Sequence, residues 1–580
     1  MSELKVVNKY FFKYKYHFIG GIVITIIAQL FALYVPKTIG KSMNLIQDYL
    51  QNQSDREQVY GLLTDYLLIL IGAALMKGFF TFWMRQTLIV MSRLVEFDMK
   101  NEIYAHYQNL SQNFYKKNKI GDLMNRISED VGKVRMYTGP AMMYGINTSI
   151  TFIVVIIQMY IISPKLTFYT LLPLPILSYS IFKLSNAINI RSTIYQQNLS
   201  KLTSFTQEMF SGIRVIKAYA IENESVNNFG KLAQESKEKN MKLAFLNALF
   251  MPLMVFLIGL SNLIVIFVGG MLYINAEISH IGVIAEFILY INMLTWPVAS
   301  LGWISSMVQE AEASQKRITE FMKVKPDVKN NNPNQEHISG TIAFENVTYR
   351  YEDTNIKALD NVSFTLEKGK TLAVLGKTGG GKSTILSLIG RLFDVQEGKI
   401  LIDNKPIEQL NLKSLRDAIA FVPQDVFLFS DTIKNNILFG NANATFDDVK
   451  KVANWAVVDK DIEKFPKQYD TLLGERGINL SGGQKQRVSI ARALLKQAQI
   501  MLLDDSLSAV DTETEEKILK NIAQTTKGKT TIIVTHRVST AKNADAIIVI
   551  DNGKIIQQGT HEQLLEQEGY YQELYKQQFS

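Results

Sequence analysis

Between residues 18 and 308 the chain carries six apolar stretches, each with the length and composition of a bilayer span, and they govern what that half can become. A span needs about 20 mostly apolar residues, because roughly 30 Å of hydrocarbon is crossed at 1.5 Å per residue. The stretches lie at about 18–36, 61–84, 136–163, 166–187, 245–273 and 280–305. Helices of a soluble protein keep a polar face, and several of these have none. An all-α six-helix transmembrane domain is therefore expected over 1–323. The basic residues 5–15 before the first stretch resemble a secretory signal, but the apolar run is long and further spans follow, so no cleavage is expected. Residues 4–17 have the pattern of a basic amphipathic anchor helix.

Lys and Arg crowd the N-terminus and the two long connections, 85–135 and 188–242, while 273–280 has neither. Positive charge stays on the cytosolic side, so the N-terminus, both long connections and everything after the sixth span face the cytosol. This also accounts for the net charge of +8 without nucleic acid as a partner. The long connections suit helices that leave the membrane and project tens of ångströms. Short contact helices are expected at their tips, about 113–122 and 218–225. There are no cysteines and only six scattered histidines, which excludes disulfides and thiolate metal sites and disfavours zinc.

Residues 324–338 form a polar linker with two prolines and an Asn run. Beyond it, 339–580 has the charge distribution of a soluble α/β domain. The apolar run TLAVLG at 371–376 suits a buried strand. It enters Gly376, Lys377, Thr378, Gly379, Gly380, Gly381, Lys382, Ser383 and Thr384, and then an apolar helical pattern. That spacing is a P-loop: backbone N–H groups and a helix N-terminus cradle phosphates, Lys382 meets them, and Ser383 ligands Mg²⁺. A second buried run, QIMLL at 499–503, ends in Asp504 and Asp505. Asp504 suits Mg²⁺ positioning, and Asp505 suits the base that orients attacking water, or alternatively a helix N-cap. Leu480, Ser481, Gly482, Gly483 and Gln484 precede a helical pattern and offer a second N-terminus to phosphate. One chain cannot easily bring both N-termini to one phosphate tail, but a second copy can.

Together these residues resemble an ABC transporter half-subunit of the exporter type, with a six-helix domain fused to an ABC nucleotide-binding domain. The resemblance spans nearly the whole chain. It implies ATP and Mg²⁺ as cofactors, ATP hydrolysis, and a dimer with the same chain or a related subunit. ATP would sit between the P-loop of one cassette and the 480–484 signature of the other. It also implies that Tyr351 stacks on adenine, Gln424 senses Mg²⁺, Ser508, Ala509, Val510 and Asp511 cross the dimer interface, and His536 contacts the γ-phosphate. Glu475 would lie where the cassette meets an intracellular loop, and the contact helices would be coupling helices. The implied function is export or flipping of a drug-like amphiphile or lipid across the cytoplasmic membrane. A peptide exporter and an ATP-gated channel or regulator are the alternatives. Glu286, in the sixth span, is a candidate substrate-cavity residue, since charge within a membrane defaults to function.

One position departs from the family pattern: glutamate usually follows the strand-end aspartate, and here it is Asp505. Losing one methylene withdraws the carboxylate by about 1 Å, and such a misplacement can cost about 10²-fold in rate. Asp505→Glu is therefore expected to raise ATP turnover, measured as phosphate release from the purified transporter. An unchanged or lower rate would remove Asp505 from the role of base.

Overall fold

The apolar runs do become long helices in the computed structural model, which describes all residues except 1–2, 53–55, 475–476, 478 and 580. Glu475 thus lies outside the described residues. The chain divides into two units: Met1–Gln108 with Gly121–Lys323, and Asn109–Ile120 with Val324–Ser580.

In the first unit, six helices are long and apolar enough to span a membrane: Lys15–Gln51, Arg56–Asn109, Ile120–Ile162, Pro164–Ser211, Glu222–Ile274 and Gly282–Met322. The second has 54 residues, or about 80 Å, so most of it extends past a bilayer. Ser163 breaks the third from the fourth: its backbone is extended, and its side chain caps the next helix by accepting from Leu166 N–H. The core is apolar, built from Val155, Met159, Leu177, Val265, Phe287 and Leu294. So is the outside, where Leu68, Ile153, Val255 and Phe267 are exposed. Such a surface suits lipid and not water. Polar side chains pair between helices, as Gln29 with Asn147 (2.7 Å) and Thr148 with Ser300 (3.2 Å).

Two local expectations change. Residues 4–17 are not a single helix: a 3-10 turn, Glu3–Val7, precedes a short helix, Asn8–Lys13. This segment packs along the second long helix, with Lys9 on Glu102 and Lys13 on Asp98 at 2.6 Å each. The short helix expected at 218–225 lies instead at Ile213–Tyr219, because Ala220 turns left-handed (φ 53°) and ends it; Glu222 already opens the next long helix.

The second unit has two sheets. β1 (Ile342–Arg350), β2 (Lys357–Leu366), β4 (Glu397–Ile402) and β5 (Lys405–Pro406) form an antiparallel sheet in the order β2-β1-β4-β5. β3 (Thr371–Gly376), β6 (Ile419–Val422), β7 (Ile500–Asp504), β8 (Thr530–Val534), β9 (Ala546–Asp551) and β10 (Lys554–Gly559) form the other, in the order β10-β9-β3-β8-β7-β6. Every pair in it is parallel except β10 with β9. β7 and β8 are buried throughout, as strands covered on both faces must be. The short helix Gln112–Lys117 belongs to this unit: Lys117 pairs with Glu352 at 2.9 Å, and Lys116 lies 4.0 Å above the Tyr351 ring.

The linker ends on Asp403, whose carboxylate accepts from the N–H groups of Ser339 (2.6 Å), Gly340 (3.0 Å) and Thr341 (2.9 Å). Hydrogen bonds to a charged group are worth about 1.5–3 kcal/mol, and their loss strands backbone donors. Asp403→Ala is expected to lower the melting temperature of the purified protein by several degrees. An unchanged melting temperature would mean that these bonds do not anchor the linker.

Candidate active site

The site lies at the carboxyl ends of β3, β7 and β8, which register brings level. Val534 pairs with both Val374 and Asp504. The ladder continues past the strands: Asp505 N–H donates to Val534 O at 2.9 Å, and Thr535 N–H donates to Val374 O at 3.1 Å. The P-loop, Asp504, Asp505 and His536 therefore share the edge of the sheet where α/β folds bind ligands.

Glycine is required in the loop itself. Gly376 (φ +146°) and Gly381 (φ +103°) are left-handed, and a Cβ on either would come within 2.0 Å of Ile550 O or 2.1 Å of Ala358 O. The loop leads into the helix Lys382–Ile389, whose first-turn N–H groups point back at it. Lys382 is buried, and its ammonium donates to the carbonyls of Gly376 and Lys377 at 2.8 Å each. Ser383 Oγ donates to Asp504 Oδ1 at 2.8 Å. The Tyr351 hydroxyl and Thr384 Oγ1 are 3.1 Å apart, tying the aromatic to this helix. Gln424 is exposed, two residues past β6, the strand beside β7.

The electrostatics favour a bound polyanion with a cation. Burial lowers the Lys382 pKa and raises those of Asp504 and Asp505; proximity to Asp505 raises that of Asp504 further. Burial also lowers the His536 pKa, and Lys382 adds to this while Asp505 opposes it. Phosphate oxygens beside Lys382 and a divalent cation beside the carboxylates would relieve both strains. A hydroxyl and a carboxylate 2.8 Å apart are hard oxygen donors of the kind Mg²⁺ takes. No cluster of three or more His, Cys, Asp or Glu occurs among the described residues, so such an ion would draw further ligands from phosphate and water.

The signature residues sit elsewhere. Ser481 caps the helix Gly482–Leu495 in a reciprocal box with Gln484, which leaves the Gly482 end exposed. This helix packs on β6, three strands from β3, or about 14 Å of sheet. Ser508–Asp511 is held against it: Gln486 donates to Ser508 Oγ (3.2 Å) and accepts from Ala509 N–H (3.1 Å). Asp511 caps the helix Thr512–Thr525, so Asp505 does not serve as its N-cap. Sequence reasoning missed Gln486, and it missed buried Glu515, which binds Arg537 and Thr540 beneath this loop. These partners lie 22 or more residues apart, with no local signature. Glu286 is buried, accepts from Tyr290 OH at 2.7 Å and lies against Gly40.

Residues 18–298 match the family described as ABC transporter transmembrane region, and 359–508 match ABC transporter. A probable multidrug resistance ABC transporter ATP-binding/permease protein of Bacillus subtilis, YheI, is 36% identical over 579 residues, covering 100% of this chain and 98% of its own. The chain belongs to the ABC transporters. It is a multi-pass half-transporter of the exporter type, with nucleotide binding and ATP hydrolysis in its cassette. The multidrug resistance-like ATP-binding protein MdlA of Escherichia coli is 35% identical over 96% of this ABC transporter and 94% of its own length. An ATP-dependent lipid A-core flippase of Syntrophus aciditrophicus is 33% identical, over 88% and 85%. A solved bacterial Atm1-family ABC exporter with ATP bound shares the fold, with a TM-score of 0.82 at 24% identity, over 97% of this chain and 99% of that one.

Lys382→Ala removes the buried ammonium and is expected to cut ATP turnover at this transporter's own site at least 100-fold, read by phosphate release. Wild-type turnover at that site would refute the P-loop assignment.

Proposed function

We propose that the chain is half of a dimeric exporter in the cytoplasmic membrane. It uses Mg²⁺·ATP to move drug-like amphiphiles or lipids out of the cytosol or inner leaflet, with the cassette in the cytosol. ATP would stack on Tyr351, and its phosphates would lie along 376–384. Ser383, Asp504 and Gln424 would hold Mg²⁺, Asp505 would orient water, and His536 would meet the γ-phosphate. The partner's residues 480–484 would close the site, with 508–511 at the seam. The observation that carries this reading is the separation of the two helix N-termini by about 14 Å of sheet. Each suits phosphate, and only a second cassette lets both grip one nucleotide.

A second support is the cytosolic tip around Ile213–Tyr219. Phe210, Val215, Tyr219 and Val226 are exposed there, an apolar cluster of the kind that subunits bury on association. The multidrug and lipid-flippase names of the relatives favour amphiphilic substrates.

Closure on ATP would draw the cytosolic helices together, and loss of the γ-phosphate would release them. In inside-out vesicles, ATP is expected to drive uptake of a fluorescent amphiphile, and Ser481→Arg is expected to stop turnover at the facing site. Full turnover by a monomer in nanodiscs would overturn the proposal.

A further inference from the structure

The first unit contains a cavity of about 430 Å³ where the second, third and sixth long helices meet, lined among others by Arg85, Gln86, Met136, Met143, Tyr144 and Trp303. Its volume lies in the range of sites for drug-sized ligands. Tyr144 and Trp303 meet in its wall with ring centroids 5.2 Å apart, offering flat apolar faces. Arg85, in the same wall, is exposed, and among the described residues it has neither an ion pair nor a hydrogen bond. We propose that this cavity receives amphiphiles with an anionic head, the apolar body lying against Tyr144 and Trp303 and the head against Arg85.

The surrounding charges support this. Deeper on the cytosolic side, Glu96 faces Arg93 (3.0 Å), Lys100 (2.8 Å) and Arg135 (3.4 Å), so one carboxylate answers three cations. Arg135 also touches the sulfur of Met136, which lines the cavity. The nearby Asp98 is taken by Lys13 and Tyr14. The approach to the cavity is therefore cationic, and a guanidinium suits phosphate or carboxylate by paired hydrogen bonds. The acid that would attract cations, Glu286, lies 17 residues from Trp303 on the same helix, or about 25 Å away. Tyr290 and Gly40 enclose it, outside the wall of this cavity.

The inference rests on the export reading and adds the sign of the substrate's charge. The test uses the whole transporter in phosphatidylcholine nanodiscs. Stimulation of ATP hydrolysis is followed with dodecyl phosphate and with dodecyltrimethylammonium, each referred to the variant's own unstimulated rate. Dodecyl phosphate is expected to reach half-effect at a concentration at least tenfold lower than the cation. Arg85→Gln should raise that concentration about tenfold, equal to about 1.4 kcal/mol, and leave the cation's value in place. Arg85→Lys should keep most of the preference. If Arg85→Gln does not assemble, Gln86→Glu, which sets a negative charge in the same wall, should weaken dodecyl phosphate alike. Adding phosphatidylglycerol separates sources: Arg85-dependent stimulation by it makes membrane lipid the ligand, and silence leaves the free amphiphile. Preference for the cation, no response to either amphiphile, or an unmoved half-effect in Arg85→Gln overturns the inference. Those outcomes leave the export reading intact if ATP-driven vesicle uptake persists and Lys382→Ala abolishes it.

Discussion

Parallel pairing of β3, β8 and β7 is the constraint on which the cassette depends. A parallel strand cannot turn back on its neighbour, so each must leave the sheet at the same edge and cross over through a helix. Three chain segments far apart in sequence therefore end level, and the N–H of Asp505 and Thr535 extend the ladder one bond beyond the strands. The phosphate loop, the strand-end carboxylates and His536 inherit their mutual placement from those bonds. The same order sets the signature helix against β6, on the far side of β7 and β8. A geometry that brings these groups together keeps the signature helix away from them by the same means, which is why the proposed function calls on a second cassette.

The membrane unit obeys a different solvent. Backbone groups must all be paired inside each span, which helices achieve alone, and side chains facing lipid gain nothing from polarity. Apolar residues consequently occupy both the helix contacts and the outer surface, and the polar exceptions are satisfied pair by pair, as Gln29 by Asn147 and Thr148 by Ser300. Because the helices run well past the hydrocarbon, a small tilt in the membrane becomes a large displacement at their cytosolic tips. In the proposed cycle, that lever arm would let a change at phosphate reach a lipid-facing bundle.

Legibility in the sequence tracked how local the physics is. The P-loop was readable because its glycines are fixed by backbone conformation within one turn, and Gly376 and Gly381 are indeed left-handed. The six spans were readable because lipid imposes a length. The short helix expected at 218–225 shifted to Ile213–Tyr219 because its end depends on a single left-handed alanine, a conformation that residue type does not announce. The Glu515–Arg537 pair, the Gln486 brace and the placement of Lys116 over Tyr351 are contacts between distant segments, decided by packing after the elements exist. Glu286 stood out as an intramembrane charge, but whether such a group faces a cavity or a neighbouring helix is a matter of helix rotation, which a single sequence leaves open.

Asp505 shows how two demands meet at one residue. Its backbone is left-handed, with φ 43°, a region where aspartate is enriched several-fold over bulkier residues because its short polar side chain can satisfy itself locally. The proposed role in orienting water asks for the opposite, a longer side chain that carries the carboxylate outward. Left-handed backbone costs an L-residue about 1–2 kcal/mol in all, so the advantage of aspartate over glutamate is at most that, whereas 10²-fold in rate corresponds to about 2.7 kcal/mol. Reach therefore outweighs comfort wherever a site must hydrolyse quickly, and aspartate is tolerable where it need only hold nucleotide. Two such sites facing each other would make a slow homodimer. Facing a subunit with a glutamate, this chain would lend its signature helix to a fast site and keep ATP longer in its own.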